Sequence, residues 1–309
     1  MGGDESLLLA DWFDAWVDTY KLGVVRDATL SKYRAAQRWV RELAGDVRLS
    51  DLTRARYQKL LNDYAATHER VTVMDFHHQL KGSVLDAVDE GLVPRDPCRR
   101  LVIKGIEPKE KKPKYLSRFE LQRLLSVLDL GDDVSWDWLV LFVAKTGLRL
   151  SEALAVTPAD FDLMRQCVRV RRSWDYKGGG GFAPVKCPSS VRSVEMDWQL
   201  TAQMAALVRG MDEDIPLFVP DGRRVYDSTI NANLARLCRR AGVSVITMHG
   251  LRHTHASLLF ASGVSVASVS RRLGHSSVAV TEKVYVHLIR ELEQGDVDAI
   301  MRCMSSLAA

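Results

Sequence analysis

The sequence predicts a mainly α (α+β) protein in two parts. An N-terminal four-helix bundle precedes a mixed, mostly helical domain with a small antiparallel β-sheet. Three observations lead there. The chain has 309 residues, too many for one ordinary core. Apolar residues recur at helical spacing as far as Pro94. A lysine- and proline-rich stretch then leads into a region where period-two alternation appears.

In the bundle, Trp12, Phe13, Trp16, Val17 and Tyr20 mark the first helix. Asp27 is the expected N-cap of a second helix carrying Tyr33, Ala36, Trp39, Val40 and Leu43, with Gly45 at its end. Asp51 or Thr53 opens a third, with Tyr57, Leu60, Leu61 and Tyr64. A fourth is predicted over 71–90 and stopped by Gly91. Pro94 and Pro97 bar further helix. These boundaries give a bundle over 1–104, a linker over 105–114 and a second domain over 115–309. The linker lysines suit either a solvated connection or contacts to phosphates, which need only charge and reach.

The second domain opens with helical patterns at 117–130 and 135–147. Cys167 to Trp174 alternates apolar and basic residues and is predicted as one strand. Gly178 to Gly181 is a turn. It lacks the lysine–serine/threonine ending and following helix of a nucleotide loop. Phe182 to Val194 is β-type, interrupted by Pro184 and Pro188, and the rest from Trp198 is helical. The tail beyond Leu288 has helical apolar spacing at Leu292, Ile300, Met301 and Met304 but is too short for a domain.

Hydrophobic residues at 47% and charged residues at 27% are globular proportions. The five cysteines form no CxxC, which fits reduced thiols and argues against structural zinc. Leu7 to Ala10 is cut short by Asp11, so no signal peptide or membrane span is expected, and the predicted location is the cytoplasm. The net charge of +4 permits an anionic partner without requiring one.

Four segments carry candidate chemistry. They are Thr146-Gly-Leu-Arg149-Leu-Ser-Glu152, Val185-Lys186-Cys-Pro-Ser-Ser-Val-Arg192, His249-Gly-Leu-Arg252-His-Thr-His, and Leu273-Gly-His275 with Tyr285 ten residues later. Singly, each has an ordinary explanation. Arg149 suits an exposed surface, Lys186 an exposed hairpin, and Tyr285 a core position. His249 and His253 stand four apart, as metal ligands can, but no third ligand is placed with them. Together they supply what phosphodiester attack needs. Arg149 and Arg252 offer planar donor forks for the oxygens that gain charge. His249 and His275 donate hydrogen bonds or move protons. Tyr285 is a nucleophile and Lys186 a proton donor to the leaving oxygen. No cofactor and no metal are called for.

These segments, in this order, resemble the signature of the tyrosine recombinase (phage integrase) family, integrase branch. The motifs cover about 115–290, while the bundle matches the family's core-binding domain in size, helicity and position. The resemblance implies a site-specific DNA recombinase that cuts and rejoins DNA through a 3′-phosphotyrosyl link at Tyr285. Arg149 and Arg252 would hold the non-bridging oxygens, with His249 assisting as base or relay. His275 would bond the phosphate, Lys186 would serve as the hairpin general acid, and Glu152 would orient neighbours. One departure is Cys187, where the family often has threonine after the lysine; Lys177 in the same hairpin stays an alternative. The resemblance also implies double-stranded DNA attachment sites as substrate and a homotetramer assembled on DNA. Arg169, Arg171, Arg172, Arg239 and Arg240 would touch the DNA backbone. The start of the bundle near Leu7 predicts a chain without an N-terminal arm-binding domain, so that a directionality factor or other control comes from elsewhere. The tail would dock on its own domain or on a neighbouring subunit. A Xer-like dimer resolvase and a catalytically silent DNA-binding protein are the competing readings.

Overall fold

The computed structural model describes residues 6–107, 115–185, 187–219 and 224–285. Lys186, the tail and most of the linker lie outside them. The chain divides into two compact units, Met1–Lys111 and Lys112–Ala309.

The first unit is the expected set of four helices: α1 (Leu9–Tyr20), α2 (Asp27–Ala44), α3 (Arg54–Ala65) and α4 (Arg70–Asp89). The apolar spacing of α1 places Leu9, Phe13, Trp16 and Val17 on one buried face. That face meets α4, where the indole N–H of Trp12 donates to the Ser83 carbonyl at 2.9 Å and that of Trp16 to Asp86 at 2.6 Å. Thr53 caps α3 by accepting from the Arg56 N–H. At α2 the N-cap is Arg26 and Asp27 is the first helical residue, so the helix begins one residue earlier than expected. Asp27 remains well placed there, since a carboxylate in the first turn opposes the positive end of the helix dipole.

The second unit contains α5 (Arg118–Ser126), α6 (Trp136–Thr146), the short α7 (Leu150–Ala153), α8 (Trp198–Leu207), α9 (Asp227–Ala241), α10 (Met248–Ala261) and α11 (Val266–Leu273). Every residue from Asp137 to Ala144 is buried, so α6 is apolar all round and forms the centre of the unit. Burying a side chain such as Phe142 contributes about 1.5–3 kcal/mol.

The strands are β1 (Phe161–Asp162), β2 (Cys167–Val170), β3 (Arg172–Trp174), β4 (Phe182–Pro184) and β5 (Arg192–Glu195). They make two antiparallel sheets, β1-β2-β5 and β3-β4. The single strand expected over 167–174 is therefore two. Val170 pairs with Arg192 in one sheet, and Arg172 pairs with Pro184 in the other. Arg171 is the residue between them, its guanidinium held by Asp160.

Among the described residues, no helix is long and apolar enough to cross a membrane. The cysteines Cys98, Cys167, Cys187 and Cys238 are free thiols.

Candidate active site

Two left-handed glycines set the frame. Gly147 ends α6 at φ +70°, and a Cβ there would sit 2.5 Å from the His255 ring. Gly274 ends α11 at φ +65°, and a Cβ there would meet the Arg192 guanidinium at 2.7 Å. Each glycine releases the next residues into the site: Arg149 after the first, His275 after the second.

Glu152 is the centre of the cluster. Its carboxylate accepts from the Arg149 backbone N–H at 3.0 Å and side chain at 2.6 Å, and from Arg192 at 3.0 Å, with Arg252 at 4.0 Å. Burial pushes its pKa up, but Arg192, then Arg149 and Arg252, outweigh that and hold it below the usual carboxylate value. An anion fixed here keeps three guanidinium groups together that would otherwise repel one another.

Arg149 donates its other terminal nitrogen to the Gly274 carbonyl at 2.8 Å. Arg252 donates to the carbonyls of Gly147 at 2.8 Å and Leu273 at 2.7 Å. These carbonyls lie at the C-terminal ends of α6 and α11, where orphan acceptors and the negative pole of the helix favour a cation. Burial, then Arg149, lowers the Arg252 pKa to about 9, so it stays charged at neutral pH. Arg149, Ser151, Tyr176, Asn231, His249 and Arg252 line a cleft of about 380 Å³. A second cavity, about 490 Å³, is bordered by Trp136, Phe218 and Tyr226.

The histidines divide by partner. His249 opens onto the cleft, and burial, then Arg252 and Arg149, lower its pKa. The Nδ1 of His275 lies 2.7 Å from the Thr281 hydroxyl, and burial, then Arg252, lowers its pKa to about 4. His255 is structural: its Nδ1–H donates to the Ala144 carbonyl at 2.9 Å and its Nε2 accepts from Arg272 at 2.9 Å. Both ring nitrogens are thereby fixed in the neutral form, and burial takes its pKa to about 3.

Tyr285 is only 2% exposed and packs with Phe260 and Leu273. Burial raises its pKa to about 12. Its hydroxyl lies 2.6 Å from the Nδ1 of His253. The structure thus brings Arg149, Glu152, His249, Arg252, His275 and Tyr285 into one unit around two glycine turns, while Lys186 lies outside the described residues. Sequence reasoning noticed three further polar groups but assigned them no role in the chemistry. Arg192 ties Glu152 to the Arg272 carbonyl, the Ser190 hydroxyl oxygen accepts from Arg149 at 3.3 Å, and His253 meets Tyr285. The one available signal for His253 was its four-residue spacing from His249, a spacing that metal ligands share but that lacked a third ligand. Among the described residues no group of His, Cys, Asp or Glu is gathered as metal ligands.

Of the arginines expected to touch an anionic backbone, Arg169 is paired with Asp162 at 2.9 Å, and Arg171 and Arg172 with Asp160. Arg239 and Arg240, in the last turn of α9, are exposed.

A mostly helical unit with a small antiparallel sheet, an arginine pair on a buried glutamate and a tyrosine on a histidine define a tyrosine-type site-specific recombinase. A family model described as the phage integrase family matches residues 114–291, and the chain belongs to that family. The XerC-like tyrosine recombinase of Caldanaerobacter subterraneus subsp. tengcongensis is 24% identical across 96% of this chain and 83% of that protein. The ICEBs1 integrase of Bacillus subtilis is 27% identical across 65% of this chain and 57% of that protein. The fold is that of the Tn1549 transposon integrase, solved in complex with transposon right end DNA. The TM-score is 0.78 at 18% identity, over 98% of this chain and all of the other.

Proposed function

We propose that this recombinase integrates and excises a mobile DNA element, and that Tyr285 forms the covalent 3′-phosphotyrosyl link. The gathering of Arg149 and Arg252 on Glu152, with Tyr285 held from the same helix as Arg252, carries the reading. A scissile phosphate enters the cleft and takes donors from Arg149 and Arg252 on its non-bridging oxygens, with His249 and His275 adding hydrogen bonds. Glu152 keeps the arginines in place without touching the phosphate. Lys186 protonates the 5′ oxygen as it leaves. The bond energy is kept in the phosphotyrosine, so no nucleotide is consumed.

Residues 1–104 serve as the core-binding domain and 115–309 as the catalytic domain, each contacting a double-stranded attachment site inside a bacterial cell. Two duplexes with four strands to exchange call for a homotetramer on DNA, and a directionality factor sets integration against excision. Exposed Arg239 and Arg240 contact phosphates, and binding weakens steeply with salt.

The test is a nicked suicide duplex bearing the candidate attachment core, in EDTA without ATP. Wild type gives a DNA-linked band on a denaturing gel and Tyr285→Phe gives none. Absence of the band on a duplex that the protein binds sinks the reading. The second reading is a Xer-like dimer resolvase, favoured by the likeness to a XerC-like tyrosine recombinase. Plasmids carrying directly repeated chromosomal sites, set against paired attachment sites, separate the two.

A further inference from the structure

We propose that His253, the residue after Arg252, is the base that takes the proton from the attacking Tyr285 hydroxyl. The inference rests on Tyr285 being the nucleophile, as proposed above. Three observations point to His253. Its Nδ1 stands 2.6 Å from the Tyr285 oxygen, within proton-transfer distance. The tyrosine ring is otherwise enclosed by apolar side chains, with Phe260 at 5.3 Å between centroids and Ala256, Val269 and Leu273 in the same cluster. A phenol in such surroundings does not ionise unaided at neutral pH, and burial does hold its pKa high. His249, the histidine expected from its motif position to assist, instead meets the His253 ring edge-on, with centroids 4.5 Å apart. It lines the cleft beside Arg149 and Arg252, where a phosphate oxygen is the nearer task.

The placement follows from the helix. His249 and His253 are four apart on α10 and so share a face. Arg252 lies between them in sequence and turns toward the carbonyls of Gly147 and Leu273. One helix thus presents the anion clamp and the proton acceptor to two sides of the same reaction.

In cleavage, the bond from the tyrosine oxygen to phosphorus forms and the bond from phosphorus to the 5′ oxygen breaks. The hydroxyl proton passes to the Nδ1 of His253, and the 5′ oxygen takes a proton from Lys186. In rejoining, a 5′ hydroxyl attacks phosphorus and returns its proton to Lys186, the phosphotyrosine bond breaks, and His253 gives its proton back to Tyr285. No oxidant, metal or co-reactant enters the balance.

Single-turnover cleavage by the full chain tests this on two suicide duplexes, one normal and one with sulfur bridging at the 5′ position. Sulfur leaves without protonation, so it relieves a missing acid but not a missing base. His253→Asn retains a polar atom near the Nδ1 position but cannot accept the proton. It is expected to cleave roughly 10²–10⁴-fold more slowly on both duplexes. His253→Ala is expected to regain activity with added imidazole, which a purely structural role would not allow. Lys186→Ala serves as the contrast, rescued by sulfur. The proposal is overturned if His253→Asn cleaves within about threefold of wild type. It is equally overturned if sulfur removes the His253→Asn defect, or if imidazole rescues His249→Ala and not His253→Ala. Persistence of the covalent band in Tyr285→Phe would instead overturn the parent reading.

Discussion

In the N-terminal unit the ion pairs lie at the surface: Lys32 and Asp75 keep 61% and 52% of their side-chain exposure. In the C-terminal unit Glu152 keeps 3%, Arg192 8% and Arg252 4%. The same residue types therefore do different work. Surface pairs in high dielectric add little and are easily lost. Buried ones are expensive to desolvate, and each member depends on the others. The N-terminal unit is held by its aromatic core, including the stacked Tyr64 and Phe76 rings at 4.2 Å. The C-terminal unit instead buries a costly charge cluster, which in the proposed function keeps guanidinium groups already in place for a phosphate.

The sharpest way to break that contrast is Glu152→Ala. It strands three buried or half-buried cations, and a loss of about 3–5 kcal/mol is expected in denaturant unfolding, together with loss of cleavage. A loss under about 1 kcal/mol would mean that the cluster is as dispensable as a surface pair.

Acid gives the next largest effect. His255 and His275 are held neutral, at about 3 and about 4, against an ordinary value of 6.5. The unfolded chain binds protons there that the folded unit refuses. Their stabilisation is complete above about 6.5 and drains away as pH falls toward 4. Glu152 has the same sign lower down: its contribution is full above 4.5 and lost as pH falls through its depressed folded value. His77 moves in the same direction in the N-terminal unit, through burial. Hydrogen exchange of peptides from both units, followed downward from pH 7, is expected to show α10 and α11 opening before α1 to α4. The reverse order would refute the comparison.

The smallest effect expected is that of Lys32→Ala, within about 1 kcal/mol of wild type by denaturant midpoint. A larger loss would show that the N-terminal surface carries weight that its exposure denies.

The legibility of the sequence follows the same division. Helices α1 to α4 were readable because their apolar spacing, Thr53 and Gly91 are local signals. The residues Arg149, Glu152, Arg252, His275 and Tyr285 were readable because their types and order are distinctive. The break at Arg171 was not, since the partners that split the run, Pro184 and Arg192, come later in the chain. The engagement of His253 was not readable either. Its partner is 32 residues away, and spacing on one helix says nothing of what a later segment brings to it. Nor did charge alone show that Arg169 and Arg171 were already committed to aspartates.

Arg252 has one consequence for the history of such chains. Its terminal nitrogens close the ends of α6 and α11 through Gly147 and Leu273, so the arginine is a rivet of the fold as well as, in the proposed function, a tool of the reaction. A descendant that ceased to cut DNA would still unravel without it. Position 285 is under no such obligation: phenylalanine would keep the packing against Phe260 and forfeit only the hydroxyl. Decay of the activity should therefore be written first at the tyrosine, and an intact Arg252 taken alone does not report present use.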